Sequence, residues 1–169
     1  MKLRYSIALS LPLASASALG ADLALKLDVP QLNVAEYHRP YIAAWVENAD
    51  QKVVANLAVL YDVKKKDNAG TKWLKDMRQW WRKTGRDVAL PLDGVSGATK
   101  APGETTLNIP KGALDKLPAG QYTLFVEAAR EAGGREVVKV PLQWPPKSAQ
   151  NVSGQGKEEL GAVVVQLKP

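Results

Sequence analysis

The sequence predicts an all-β sandwich with one short inserted helix, and three observations lead to that fold class. Short runs of apolar and β-branched residues recur along the chain, several of them with the period of two that half-buried strands require. Glycine, proline and asparagine turn signals separate these runs, as they do in β-sandwiches. The chain has no cysteine, so its stability must come from a packed core, for which 169 residues suffice.

Residues 1–21 have the order of a secretory signal peptide. A basic start containing Lys2 and Arg4 precedes an apolar run, and several small-residue cleavage sites follow it. The apolar run is shorter than the ~20 residues that a membrane-spanning helix needs. We therefore expect the signal peptide to be cleaved, leaving a single periplasmic domain over residues 22–169 that does not span the membrane.

Seven runs of the mature chain are predicted strands. They cover residues 23–29, 41–47, 53–61, 107–109, 121–129, 136–144 and 162–167. In the first run leucines alternate with polar or small residues, the pattern of a strand with one buried face. Residues 48–52 suit the turn of one hairpin, and Gly133 with Gly134 suits another. The polar, glycine-rich residues 148–159 are expected to form a loop before the last strand.

One segment interrupts the β pattern. Between Lys72 and Lys83, the apolar residues Trp73, Met77 and Trp80 recur at helical spacing, and charged residues occupy much of the remaining surface. We interpret this segment as a short amphipathic helix inserted between strands. At least two of these three apolar residues are expected to hold the helix against the sandwich.

The segment from Pro118 to Leu124 refines the predicted fold. It has the form Pro-x-Gly-x-Tyr-x-Leu, in which Gly120 allows the turn and Tyr122 anchors the strand in the core. Similar phrases open a late strand in many bacterial immunoglobulin-like domains. The predicted fold is therefore an immunoglobulin-like β-sandwich with one short inserted amphipathic helix.

A motif near the middle of the chain carries the clearest chemical signal. Asp93, Ser96, Gly97, Ala98 and Thr99 occupy all the specified positions of the pattern Asp-x-x-(Ser/Thr)-Gly-Ala-(Ser/Thr). This pattern resembles the acceptor motif of FAD:protein FMN transferase. The resemblance implies that FMN is attached to the Thr99 hydroxyl through a phosphoester. It also implies that the transferase reads the other specified residues, Asp93, Ser96, Gly97 and Ala98. The alternative is a polar turn, which Asp, Ser and Gly also favour.

Two further residues are candidates for contact with an attached flavin. Trp81 lies on a different face from the core-facing tryptophans, and its ring is suited to stacking on a planar cofactor. His38 is the only histidine, and it is a candidate proton donor or a single axial haem ligand. A structural role at the entrance to the strand after Pro40 is the alternative for His38. One histidine without cysteine does not make a multi-ligand metal site.

Other function classes find little support in the sequence. The formal net charge of +6 falls to +4 when the two cations of the leader are removed, and acidic residues are interspersed throughout. Nucleic-acid binding is not predicted, because no concentrated basic face or recognised module is present. The chain also lacks phosphate-binding and dinucleotide glycine motifs and the serine-hydrolase elbow. No catalytic residue is assigned.

From about residue 22 to residue 168 the chain resembles an uncharacterised family of predicted bacterial periplasmic proteins. The residues that carry this resemblance are 37–41, 73–81, 93–99, 102–103, 127–131 and 133–134. The resemblance implies an exported immunoglobulin-like domain working beside membrane-bound reductases with peptidase-propeptide-like (PepSY) domains. Two hypotheses follow. The chain is an electron carrier with covalent FMN rather than a stand-alone enzyme, or it is a cofactor-free binding or assembly module.

Overall fold

Nine strands in two sheets carry the fold of the computed structural model, which describes residues 21–169. The strands are β1 (Asp22–Val29), β2 (Tyr41–Glu47), β3 (Val53–Tyr61), β4 (Ser96–Ala98), β5 (Gly103–Asn108), β6 (Gly120–Ala129), β7 (Arg135–Trp144), β8 (Gln150–Gln155) and β9 (Ala162–Lys168). The predicted signal peptide lies outside the described residues, apart from Ala21.

The two sheets have different sizes and one parallel pairing. One sheet has the strand order β5-β1-β9-β8, and the other has the order β4-β3-β2-β6-β7. The short edge strand β4 runs parallel to β3, whereas the other neighbouring strands are antiparallel. The predicted fold class is confirmed: the domain is an all-β sandwich with one short inserted helix.

The main core lies between the sheets. Strand β1 buries every second side chain and leaves the others half-exposed, as its alternating sequence predicts. Strand β6 faces it with Leu124 and Val126, both fully buried. Burying a side chain of this size stabilises the fold by about 1.5–3 kcal/mol. Tyr122 anchors the start of β6, because its hydroxyl donates a hydrogen bond of 2.8 Å to the carbonyl of Pro118.

A second apolar cluster, here called the outer cluster, covers the opposite face of the five-stranded sheet. Strand β2 is buried along its whole length because its outward side chains are covered as well. Among them Trp45 stacks on Phe125 with ring centroids 5.2 Å apart. The inserted segment supplies the cover, with Leu74, Met77 and Trp80 completely buried in the same cluster.

The inserted helical segment is divided differently from the prediction. Residues Lys66–Asp76 form 3-10 helix interrupted by a kink, and only α1 (Arg78–Lys83) is α-helical. Met77 separates the two with a ψ of 72°, outside the helical region. The completely buried apolar residues of the inserted segment, at positions 74, 77 and 80, are three apart, which is the period of a 3-10 helix. The predicted holding role is confirmed for Met77 and Trp80, while Trp73 is partly buried beside them.

Two further expectations need correction at the strand level. The loop expected over residues 148–159 contains β8, which pairs with β9 as an edge strand. The weak strand expected over residues 107–109 starts earlier and ends earlier, as β5. Strand β4 was not predicted, and it contains three residues of the acceptor motif.

Candidate functional site

The ends of four strands meet at one end of the five-stranded sheet. Because β2 runs antiparallel to both β3 and β6, the beginning of β2 lies beside the ends of these two strands. Strand β4 runs parallel to β3, with Ala98 opposite Tyr61, so the end of β4 lies there too. The segments that lead into β2 and out of β3, β4 and β6 therefore come together.

These segments surround an open cleft of about 470 Å³, here called the Thr99 cleft. It is lined by Tyr37, His38, Arg39, Tyr41, Asp62, Lys65, Thr99 and Glu131. Its volume lies within the range of about 300–1,000 Å³ that is usual for small-molecule sites. Two tyrosines and charged groups of both signs make the lining suitable for a polar ligand with a planar ring.

The acceptor motif enters this cleft through a tight turn. Gly94 has a φ of 67°, which glycine adopts without strain, and Asp93 is exposed beside it. The Ser96 hydroxyl accepts a hydrogen bond of 2.9 Å from the backbone N–H of Leu92. Ser96, one of the specified motif residues, therefore has a structural role in the turn.

The end of the motif is the part that reaches the cleft. Gly97 packs closely on β3, since a Cβ atom there would lie 3.2 Å from Leu60 Cδ2. Ala98 is exposed, and Thr99 follows the strand directly with a half-buried side chain. Thr99 thus lies directly after the end of β4, where its side chain is accessible from the cleft.

His38 lines the same cleft as Thr99, so these two candidate residues lie together. The imidazole lies between two carboxylates. Its Nε2 atom is 3.2 Å from Glu36 Oε1, and its Nδ1 atom is 4.0 Å from Glu131 Oε2. With 34% of its side chain exposed, the His38 imidazole is accessible to water.

Trp81 is not among the described residues that line the Thr99 cleft. It is half-buried against the outer cluster, and its ring centroid lies 6.3 Å from that of Trp80. The structure therefore brings together Thr99 and His38 and leaves Trp81 in a separate group. The aromatic residues of the cleft are Tyr37 and Tyr41, which the sequence analysis did not single out.

Tyr41 forms a rigid wall of the cleft. Its hydroxyl donates a hydrogen bond of 3.0 Å to the carbonyl of Gly70, and its ring meets Tyr61 edge-on at 6.3 Å. Burial, aided by the nearby charge of Asp62, raises the pKa of Tyr41 to about 12. Tyr41 is therefore a neutral phenol at physiological pH, and its role is positional.

Tyr37 has a different environment. Its hydroxyl oxygen is buried and has no hydrogen-bond partner among residues 21–169. Burial raises the pKa of its phenol, and the positive charges of Arg130 and Arg39 oppose that rise without cancelling it. Arg130 itself is held by two hydrogen bonds, of 3.0 and 3.1 Å, to the carboxylate of Glu159. That ion pair fixes the chain just before Glu131 enters the cleft.

A buried carboxylate that the sequence analysis missed positions the inserted helix. Glu127 is fully buried and accepts hydrogen bonds from the backbone N–H groups of Gln79 and Trp80, at 3.1 and 2.7 Å. It also accepts one of 2.8 Å from Arg135 Nη1. Negative charge at the start of a helix is favourable, and these bonds fix α1 on the sheet.

Glu47 secures the other end of α1. It is 3% exposed, and it accepts hydrogen bonds from Trp45 Nε1 at 2.8 Å and from Lys83 Nζ at 3.2 Å.

The signal for Glu127 was present in the sequence, because a single charged residue interrupts the apolar run over residues 124–129. Buried charges of this kind are almost always paired, so such a residue predicts a structural partner.

Within the described part of the chain, no three His, Cys, Asp or Glu side chains are grouped as they would be to hold a metal ion. None of the described helices has the length and apolar character to cross a membrane.

A family model described as a predicted periplasmic protein (DUF2271) matches residues 22–162. Neither a curated protein nor a solved structure matches the chain.

Proposed function

The chain belongs to the DUF2271 family of predicted periplasmic proteins, and we propose that it is a periplasmic electron carrier with FMN attached to Thr99 through a phosphoester. One observation carries the proposal. Thr99 ends a segment that matches every specified position of the transferase motif, and its side chain lines a cleft of ligand size. Covalent attachment suits an exported protein, because free FMN would diffuse away from it.

The attachment is a group transfer from FAD. Thr99 Oγ forms a bond to the phosphorus of the FMN half of FAD, the pyrophosphate bridge breaks and AMP leaves. The proton of the threonine hydroxyl is released in the same step. An FAD:protein FMN transferase supplies the active site, while this chain contributes the hydroxyl and the segment that the enzyme reads.

The chain's own residues orient the attached group and control its surroundings. FMN supplies reversible electron transfer when it is bound, and the protein provides position and electrostatics. The half-buried Tyr37 offers aromatic surface beside Thr99, and His38 lines the same cleft as the proposed proton donor. A membrane-bound reductase with a PepSY domain is the proposed electron donor.

Intact-mass measurement of the exported protein, co-expressed with its transferase, tests the proposal. We expect the mass to increase by one FMN phosphoester and the denatured protein to remain yellow. Thr99→Ala should abolish the increase, whereas Thr99→Ser should retain it because the motif accepts either hydroxyl. Thr106→Ala is the matched control, since Thr106 is an exposed threonine on β5, the next strand along the chain, and lies outside the motif.

An unmodified mass, obtained with a transferase that is active on another substrate, would sink the proposal. In that case the cofactor-free binding module becomes the better description. One observation already favours that alternative: the hydroxyl of Ser96, a specified motif residue, accepts a hydrogen bond within the turn and so has a structural role there. A colourless protein would then be examined for partners at its sheet edges.

A further inference from the structure

Arg39 differs from the other charged groups of the Thr99 cleft. Lys65 Nζ lies 3.2 Å from Asp62 Oδ2, and the His38 imidazole lies between two carboxylates. Among residues 21–169, no carboxylate oxygen lies within 4.0 Å of the Arg39 guanidinium. Within the described part of the chain, Arg39 is thus the cation of this cleft that is left to pair with an external anion.

The chain around Arg39 holds it at the cleft. Pro40 is buried directly after it and restricts its backbone, and Tyr41 begins β2 with its hydroxyl bonded to Gly70. On the other side, Tyr37 is packed close to the Arg130–Glu159 ion pair, whose charges act on its phenol. The side chain of Arg39 is exposed, but its backbone is held in position at the same cleft that Thr99 lines.

We infer that Arg39 is the anion-binding residue that holds the nucleotide carried by Thr99 inside the cleft. This inference rests on the proposed function, since it concerns the phosphodiester that attachment creates. That phosphodiester carries one negative charge, and a guanidinium binds phosphate oxygens through paired N–H donors. The ring of the nucleotide then lies against the cleft lining, where the half-buried Tyr37 offers aromatic surface, instead of moving freely in water.

Removing the guanidinium should shift the tethered flavin towards solvent. An ion pair at a partly exposed site is worth up to about 1 kcal/mol, so we expect the ratio of held to free flavin to fall roughly five-fold in Arg39→Gln. Arg39→Lys should fall between Arg39→Gln and the unaltered protein, because lysine keeps the charge but not the fork of donors. Arg39→Glu should release the flavin further by repelling the phosphodiester.

The experiment uses flavinylated mature protein whose attachment has been verified by intact mass. Quenching of flavin fluorescence by acrylamide, a neutral quencher, reports solvent access, and visible circular dichroism reports a fixed ring. We expect Arg39→Gln to increase quenching and to weaken the dichroism, and high salt to do the same to the unaltered protein. Arg86→Gln is the control, because Arg86 is a cation outside the cleft that pairs with Asp87.

The outcomes separate the two proposals. If no FMN is attached, the proposed function fails and this inference fails with it. If FMN is attached but quenching and dichroism are the same in Arg39→Gln, Arg39→Glu and the unaltered protein, the inference is overturned and the attachment stands. Far-ultraviolet circular dichroism of each variant checks that the sandwich is intact.

Discussion

At the scale of single residues, Glu127 illustrates how one buried charge holds two elements together. Its carboxylate accepts hydrogen bonds from two N–H groups at the start of α1 and from Arg135 on β7. Glu127→Gln keeps the shape but removes the charge and turns an amide N–H₂ towards groups that donate. Because a donor replaces one of the two acceptor oxygens, buried N–H groups lose their hydrogen-bond partner. We therefore expect the free energy of unfolding to fall by about 2–4 kcal/mol.

Urea denaturation measures this loss, and Glu104→Gln is the matched control. Glu104 lies on β5 with its side chain 73% exposed, so its replacement should change the free energy of unfolding by no more than about 0.5 kcal/mol. A Glu127→Gln protein as stable as this control would show that the Glu127 contacts do not hold α1 in place.

The sequence predicted part of the candidate site at this scale, and the limit has a physical cause. Thr99 was identified because its motif is contiguous, and His38 because it is the only histidine. Arg39, Lys65 and Glu131 lie on different segments, and only the strand pairings bring them to one end of the sheet. Residues that only the tertiary structure brings together have no characteristic spacing in the sequence.

At the scale of elements, the turn between β8 and β9 depends on one carboxylate. Glu136 on β7 accepts hydrogen bonds of 2.7–3.0 Å from the four consecutive backbone N–H groups of residues 157–160. Burial acts to raise the pKa of Glu136, but these four bonds outweigh it and the pKa is lowered from its ordinary value. The folded state therefore binds the Glu136 proton less readily than the unfolded state.

The stability of this turn should depend on pH. Because the folded pKa is depressed, the contribution of Glu136 is complete above the ordinary glutamate value of 4.5 and is lost as the pH falls through the folded pKa. At neutral pH we expect Glu136→Gln to lower the free energy of unfolding by about 1–3 kcal/mol. The difference from the unaltered protein should shrink on acidification.

Urea titrations across this pH range provide the measurement. Glu158→Gln is the control, because the exposed side chain of Glu158 lies in the same turn, while its backbone N–H already bonds to Glu136. A gap between Glu136→Gln and the unaltered protein that stays constant from neutral to acidic pH would contradict the argument.

Elements were predictable where the pattern of apolar and polar side chains follows the pattern of burial. Strands β1 and β9 alternate between buried and half-exposed positions, and both were predicted nearly to the residue. Strand β8 was missed because Gln150–Gln155 has almost no apolar residue, and its pairing with β9 comes from the backbone. In the inserted segment the apolar spacing predicted helix, but it did not distinguish a 3-10 turn from an α-helical one.

At the scale of the whole molecule, the main core and the outer cluster share their strands. Along β2, Ile42 and Ala44 face the main core, whereas Ala43 and Trp45 face the outer cluster. Strand β6 is shared in the same way, with Val126 in one cluster and Phe125 in the other. Neither cluster can lose its strands without exposing the other, and no disulfide holds either in place.

This sharing predicts that the domain unfolds in a single step. Trp45, Trp73, Trp80 and Trp81 belong to the outer cluster, so tryptophan fluorescence reports mainly on that layer. Far-ultraviolet circular dichroism reports on the strands of both sheets. We expect the two signals to change at the same urea concentration, because coincident transitions are the mark of two-state unfolding. If fluorescence instead changed at lower urea, the inserted segment would be a separate layer that detaches before the sandwich opens.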